Sequence, residues 1–420
     1  MGITARWRIL AVSGAALMTA STVAACGSED GTQINVYYAP EENFQKVIDR
    51  CNDEANGRYE IVYRKLPREA DGQREQMVRR LAAGDTDLDI LGLDVTWVPE
   101  FAEAKWLEEF TDSNKQQAEE GVLEGPLSTA QWNGKLYAAT KNTNVQLLWY
   151  DDSITPNPPE TWRDMIDMAK RLKQEDKPYQ ILFTGAQYEG LVVTYNTLVA
   201  SYGGKILSDD GRSVVMDEGA VKALKLLKEI ASSGVTDPSL TNAQEQQVQQ
   251  GFEAKTSEAA FELNWPYVYA AMQEANPERA KHFKWARYPG IDGPGKVTIG
   301  GYNLAVSAYS EHKPESFEAA LCLRSEESQR MSAISDGVPP TIESVYNGED
   351  AEFVEKYPMW ETIVEQLQDA AVRPLTVVYQ NLSTITSKVL SPPQDIDPEA
   401  TAAELREQLQ KALESKGVLP

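Results

Sequence analysis

Apolar and polar positions change period repeatedly along the chain. Ile34-Asn35-Val36-Tyr37-Tyr38 predicts a strand, and Phe44, Val47, Ile48 and Cys51 then recur at the spacing of one helix face, ending near Gly57. Residues 59–65 predict a second strand. Met77, Leu81 and Ala82 mark one side of a helix over 73–83, and 88–94 predict a third strand. Strand–helix–strand–helix–strand implies a mainly parallel sheet with right-handed crossovers. Ligands of such sheets sit beyond the carboxyl ends of strands, where Asp94 falls.

Trp132-Asn133-Gly134-Lys135-Leu136-Tyr137 predicts a hairpin turned at Asn-Gly, and 145–150 a further strand. Thr161 can cap a helix running to about 173. Helical spacing dominates to about 275, including 221–232 and 265–274, before a turn-rich connector at 288–295. A strand over 297–306 and helices over 313–326, 357–371 and 399–415 complete the reading. No short repeat or low-complexity domain interrupts it.

The amino terminus follows a different logic. Arg6 and Arg8 precede a mostly small and apolar run over 9–20, shorter than the roughly 20 residues a membrane span needs. With Val23-Ala24-Ala25-Cys26 after it, residues 1–25 read as a secretory signal peptide. The four residues resemble a bacterial lipobox, which implies that Cys26 is lipidated; ordinary cleavage leaving a free Cys26 is the alternative. Residues 26–32 then form a polar tether holding the body at the outer face of the plasma membrane.

Composition narrows the function. At about 100–200 residues per domain, 420 residues make two or three domains. Forty basic against 64 acidic residues give a net charge of −24, which disfavours nucleic acid as a partner. Two histidines leave little room for a histidine triad or a multi-histidine metal site, and no metal or cofactor is expected. The chain has no Walker loop, G-x-G-x-x-G, H-E-x-x-H, C-x-x-C or G-x-S-x-G. A carboxylate pair for glycoside cleavage stays open by counting alone, as does a structural lipoprotein without a small ligand. Recognition of a neutral sugar needs planar acceptors and donors plus aromatic faces, and nine Trp and eighteen Tyr supply the latter.

Longer strings carry a resemblance. They are Trp132-Asn133-Gly134-Lys135-Leu136-Tyr137-Ala138-Ala139, Gln146-Leu147-Leu148-Trp149-Tyr150, Ser201-Tyr202-Gly203-Gly204 and Phe261-Glu262-Leu263-Asn264-Trp265-Pro266. Leu93-Asp94-Val95, Thr143-Asn144, Thr298-Ile299-Gly300-Gly301 and Ala370-Ala371-Val372-Arg373-Pro374 add to them. Across nearly all of its mature length the chain resembles the maltose-type extracellular solute-binding proteins of ABC importers. Within that family it resembles the trehalose-binding lipoproteins of mycobacteria.

The resemblance implies an α/β, two-lobed periplasmic-binding-protein-like fold, with the ligand cleft between lobes and several crossover segments. Residues 33–140 with 296–345 would form the first lobe, and 141–295 with 346–420 the second. It implies a monomer that performs no chemistry, binds a disaccharide such as trehalose, and delivers it to a permease driven by a separate ATPase. Maltose or another α-glucoside is the rival ligand. Asp94 would accept sugar hydroxyls, with a helix N-cap as its alternative role. Gln73 would line the same side, and Glu41 or Glu42 would reach in from the first strand's loop. Asn144 near the crossover would donate and accept, and Glu245 would contact the ligand unless it lies on a solvated helix face. Trp265 would stack on a glucose ring or fill core. Gly300 and Gly301 would admit backbone to the ligand, Tyr302 would line the cleft or the core, and Arg373 would fork to hydroxyls or to a carboxylate. Cys51 and Cys322, both on predicted helices, are either a disulfide or two buried thiols; a disulfide requires their segments to share one lobe.

Overall fold

The computed structural model describes residues 31–208 and 211–414; the signal peptide and Cys26 lie outside the described residues. Eleven strands run in chain order within it: β1 (Thr32–Tyr38), β2 (Tyr59–Lys65), β3 (Ile90–Asp94), β4 (Gln131–Trp132), β5 (Lys135–Leu136), β6 (Ala139–Asn144), β7 (Leu147–Asp151), β8 (Gln180–Leu182), β9 (Ala259–Asn264), β10 (Phe283–Ala286) and β11 (Gly300–Val306). They form a five-stranded sheet ordered β2-β1-β3-β11-β6, a four-stranded sheet ordered β10-β7-β9-β8, and the β4–β5 hairpin. Asn133 and Gly134 both turn with positive φ, as the Asn-Gly signal requires.

The first sheet is parallel only across β2, β1 and β3; β11 and β6 run antiparallel to their neighbours. Helix Phe44–Ala55 covers it with Phe44, Val47, Ile48, Cys51 and Ala55 inward, and ends at Asn56 and Gly57 in left-handed conformation. Its core closes with Leu304, Val306, Ala320 and Leu323 from the later chain segment. The second sheet has a separate core built around Trp149, Trp162, Leu198, Leu224 and Phe261. The Trp149 ring stacks on Phe283 at 5.1 Å. Helices Tyr379–Leu390 and Pro398–Leu413 add Leu382, Leu390, Leu405 and Leu409 to this second core.

Several sequence expectations change. The stretch expected to be helical up to 275 contains β8 and β9; β9 is buried at all six positions, so it lacks the alternation that marks a half-exposed strand. Strand β6, polar in sequence, was not anticipated and carries the first sheet on to Asn144, beyond the expected change of lobe at 140. The helix expected over 313–326 is two, Lys313–Leu323 and Glu326–Asp336, separated by Ser325, whose hydroxyl caps the second. Strand β1 begins at Thr32, inside the expected tether. No helix among the described residues is long and apolar enough to cross a membrane.

Cys51 and Cys322 are bonded and join helix Phe44–Ala55 to helix Lys313–Leu323. The bridge spans 271 residues and ties together the two chain segments that build the first sheet's unit. Closing so long a loop restricts mainly the unfolded chain and contributes about 2–4 kcal/mol. The Cys51→Ala/Cys322→Ala protein is therefore expected to melt several degrees below the oxidised wild type, and wild type in reductant should fall with it.

Glu262 of β9 is 1% exposed and accepts a hydrogen bond from Asn264 Nδ2 at 2.8 Å. Burial pushes its carboxyl up to about 8; Glu253 adds to this, while the Asn264 bond and Arg279 oppose it. The native state therefore holds a proton that the unfolded chain releases near the ordinary glutamate value. Stability is lost as pH rises between those two values and levels off above about 8, at about 1.4 kcal/mol for each pH unit. Denaturant unfolding at pH 5, 6 and 7 should show Glu262→Gln gaining on wild type by about that step each time; a constant difference would mean that Glu262 ionises normally.

Candidate functional site

Asp94 ends β3, and the β11–β3 register sets Tyr302 directly beside it. Asp94 Oδ1 accepts from the backbone N–H of Thr96 at 3.0 Å and from its hydroxyl at 2.8 Å. It does not cap the following helix Val98–Glu103, whose N-cap is Trp97. The Tyr302 hydroxyl donates to Gln73 Oε1 at 3.1 Å, and Gln73 Nε2 donates to the Arg68 carbonyl at 3.0 Å. Gln73 is fully buried, so it orients Tyr302 rather than facing outward from its helix.

Glu41 and Glu42 part company. Glu41 accepts from Lys141 Nζ through both oxygens at 2.7 Å, and Tyr38 Oη lies 2.9 Å from its Oε1. The Lys141 side chain is 1% exposed, with its ammonium 4.9 Å and 4.8 Å from the Tyr38 and Phe44 ring centres. A buried ammonium needs such a partner, so most of Glu41's accepting capacity is committed within this unit. Glu42 is exposed.

Arg373 crosses from the second unit to the first. Its Nη2 lies 3.0 and 3.1 Å from the two Asp94 oxygens, and its Nη1 lies 2.5 Å from Glu189 Oε1. Glu189 opens helix Glu189–Ser201 and also accepts from the Tyr379 hydroxyl at 2.7 Å and from Ser383. Burial raises the Glu189 carboxyl above its ordinary value, against the pull of Arg373, Ser383 and Tyr379. Burial works against the Arg373 charge as well, but Asp94, Tyr379 and Glu189 outweigh it. Arg373 Nε is buried without a hydrogen-bond partner.

The opposite wall is aromatic. Glu245, first residue of helix Glu245–Glu253, accepts from the Tyr188 hydroxyl at 2.5 Å and also interacts with Trp265. It is half-buried rather than on a solvated face, and burial raises its carboxyl above the ordinary value. Trp265 follows β9 and lies against the first unit. A Cβ on Gly300 would come within 3.0 Å of Trp265 Cη2 and 3.3 Å of Asn144 Cβ, so the glycine makes room for the indole. Gly301 has φ +121°, and a Cβ there would lie 2.3 Å from the Asn142 carbonyl oxygen. Its freedom serves the β11–β6 pairing. Asn144 Oδ1 is buried beside this contact without a partner.

Asp94, Asn144, Trp265, Gly300 and Arg373 thus converge where the two sheet units meet, with Gln73, Tyr302 and Glu245 around them. Sequence reasoning missed Glu189, Tyr188, Tyr379 and Ser383. The one local signal at Glu189 is an acid in the first turn of its helix, which favours the helix and says nothing of Arg373. A cavity of about 410 Å³ also opens beside Arg373, between Ser128, Asn196, Leu207, Thr298 and Leu375. Neither Asp94 nor Trp265 lines it. Elsewhere Asp151, Asp152 and His282 approach one another, but Arg279 lies 3.4 Å from Asp151 and His282 bonds Asp152 at 2.8 Å. Those bonds account for the group without a cation.

Residues 39–330 match the family described as bacterial extracellular solute-binding protein. A probable ABC transporter-binding protein of Deinococcus radiodurans is 27% identical over 325 residues, covering 74% of this chain and 76% of that protein. Maltose-bound MalE3 of T. maritima superposes with a TM-score of 0.82 at 25% identity, over 90% of this chain and 99% of that one. The GacH receptor of Streptomyces glaucescens, solved unliganded and with acarbose, gives 0.79 at 18% identity, over 91% and 99%. The chain belongs to the bacterial extracellular solute-binding proteins and has the two-lobed α/β fold of the maltose-type receptors of ABC sugar importers.

Proposed function

We propose that the protein is a lipid-anchored receptor that captures trehalose outside the cell and, on lobe closure, presents it to a membrane permease driven by a separate ATPase. The observation that carries this reading is the junction of the lobes. There the Trp265 indole lies against Gly300 and Asn144, and Asn144 Oδ1 is buried unpaired. An unsatisfied buried acceptor costs about 1–3 kcal/mol, and a sugar hydroxyl is a donor that relieves it. The indole face suits pyranose carbons, and Asp94, Glu245 and Arg373 offer charged partners for hydroxyls. The maltose bound by the T. maritima relative supports a glucose disaccharide as the ligand class, and keeps maltose as the rival.

In this reading the moving bodies are residues 33–140 with 296–345 and residues 141–295 with 346–420, except that 141–144, the end of β6, stay paired with the first sheet. A ligand favours the closed form only through contacts it makes better there than in the open one, and groups drawn from both lobes meet that condition. The protein acts as a monomer, holds no cofactor and transforms nothing.

Calorimetric titration of the protein lacking residues 1–26 tests the ligand. Saturable one-to-one binding of trehalose, with maltose weaker, is expected; preference for maltose would keep the receptor and change its substrate. Arg373→Lys keeps the charge but loses the planar fork between Asp94 and Glu189, and should weaken trehalose binding by about 10–100-fold. Unchanged affinity would remove Arg373 from the site. For the anchor, full-length protein should sediment with membranes and Cys26→Ser protein should be released; equal partitioning of both would show that Cys26 carries no lipid.

A further inference from the structure

Asn264, the last residue of β9, is fully buried, yet the groups around it belong to the wall that carries Glu245 and Trp265. Its backbone is held twice. Asn264 pairs with Leu147 in the β7–β9 ladder, and the Trp149 indole N–H donates to its carbonyl oxygen at 2.9 Å. Its side chain then reaches in two directions. Oδ1 accepts the backbone N–H of Trp265 at 2.9 Å, while Nδ2 donates to the Glu245 carbonyl oxygen at 3.2 Å and to Glu262 Oε1 at 2.8 Å.

One amide therefore joins the first residue of helix Glu245–Glu253 to the residue that leaves β9 toward the cleft. Its orientation is dictated by its surroundings. The Glu245 carbonyl and the Glu262 oxygen are acceptors and require the NH2 group, while the Trp265 N–H is a donor and requires the carbonyl oxygen. A side chain with only one kind of group cannot serve both sides.

Building on the sugar-receptor reading, we propose that Asn264 is the positioning residue of the second-lobe wall. It sets the spacing of the Glu245 carboxylate from the Trp265 ring, and so the tilt at which the ring receives a pyranose, without touching the ligand itself. Glu262 supports it from behind as the acceptor that keeps the amide from turning over.

A double-mutant cycle tests this with whichever of trehalose and maltose the wild type binds. Asn264→Ala should weaken binding by about tenfold or more in the wild-type background, and by no more than about threefold when Trp265→Ala is already present. A residue that merely supported the fold would cost the same in both backgrounds, and that outcome overturns the proposal, as does unchanged affinity. In protein labelled with 5-fluorotryptophan, the Trp265 fluorine resonance, assigned by its loss in Trp265→Phe, should shift in ligand-free Asn264→Ala; an unmoved resonance counts against the proposal. If Asn264→Ala does not fold, Asn264→Asp enters the same cycle. It keeps the acceptor for the Trp265 N–H and loses the donor to Glu245, and the same criteria apply. Wild type that binds neither sugar overturns the disaccharide reading and this proposal together, whereas wild-type binding with additive losses overturns this proposal alone.

Discussion

A guanidinium removed from water is tolerable only while its counter-charges stay in place. Arg373 is 4% exposed and depends on Asp94 from one lobe and Glu189 from the other. Losing either carboxylate leaves the guanidinium a single counter-charge and strips one of its edges of a hydrogen-bond partner in a buried site, and breaking a buried pair costs several kcal/mol. The relative placement of the two sheets is thereby coupled to one side chain. The segment that carries Arg373 is held in turn by the crossover: Ala371 N–H donates to the Val297 carbonyl at 2.8 Å, and Ile299 N–H donates to the Ala371 carbonyl at 2.9 Å. Gly300 follows at once, so the clasp and the Trp265 contact share one short stretch of backbone.

This arrangement reconciles the site's charge with the neutral ligand we propose for it. Arg373 hydrogen-bonds both carboxylates of the line Asp94–Arg373–Glu189 and offsets one of their charges, and Lys141 matches Glu41 one to one. Paired carboxylates retain free lone pairs for hydroxyl donors while presenting less charge than unpaired ones. An anionic ligand would have to displace Asp94 or Glu189 from Arg373, whereas a hydroxyl can join the existing pairs.

The first half of the fold was legible because short apolar runs alternate there with one clear helix face. β1 alternates only at its start and then runs apolar through Val36, Tyr37 and Tyr38, helix Phe44–Ala55 repeats cleanly, and Asn133-Gly134 states its turn outright. β9 was not legible, since a strand buried on both faces has the composition of a buried helix. β6 was hidden for the opposite reason: its polar side chains Lys141, Asn142, Thr143 and Asn144 look like a loop, yet only Asn144 escapes full burial. In the candidate site, Asp94, Trp265 and Arg373 stand in distinctive local strings. Glu189 does not, and its role comes from Arg373, 184 residues away in sequence. Local pattern cannot supply such a pairing, because nothing in the neighbourhood of Glu189 encodes the approach of the carboxyl-terminal segment.

The two walls of the proposed cleft are held by different means. On the first-lobe side, Asp94, Tyr302 and Gln73 are ordered by sheet register and one helix, so their geometry is as rigid as the ladder beneath them. On the second-lobe side, Glu245 and Trp265 belong to a helix start and a strand exit with no ladder between them. The rigidity that a register provides on one side is provided on the other by the Asn264 amide and the buried carboxyl behind it. A receptor that closes on its ligand needs both walls pre-formed, because any side chain ordered only after closure subtracts its ordering entropy from the affinity. The buried Glu262 lowers stability as pH rises toward 8, yet its oxygen is the acceptor that fixes the Asn264 amide, so the fold bears that cost in the element that holds the wall.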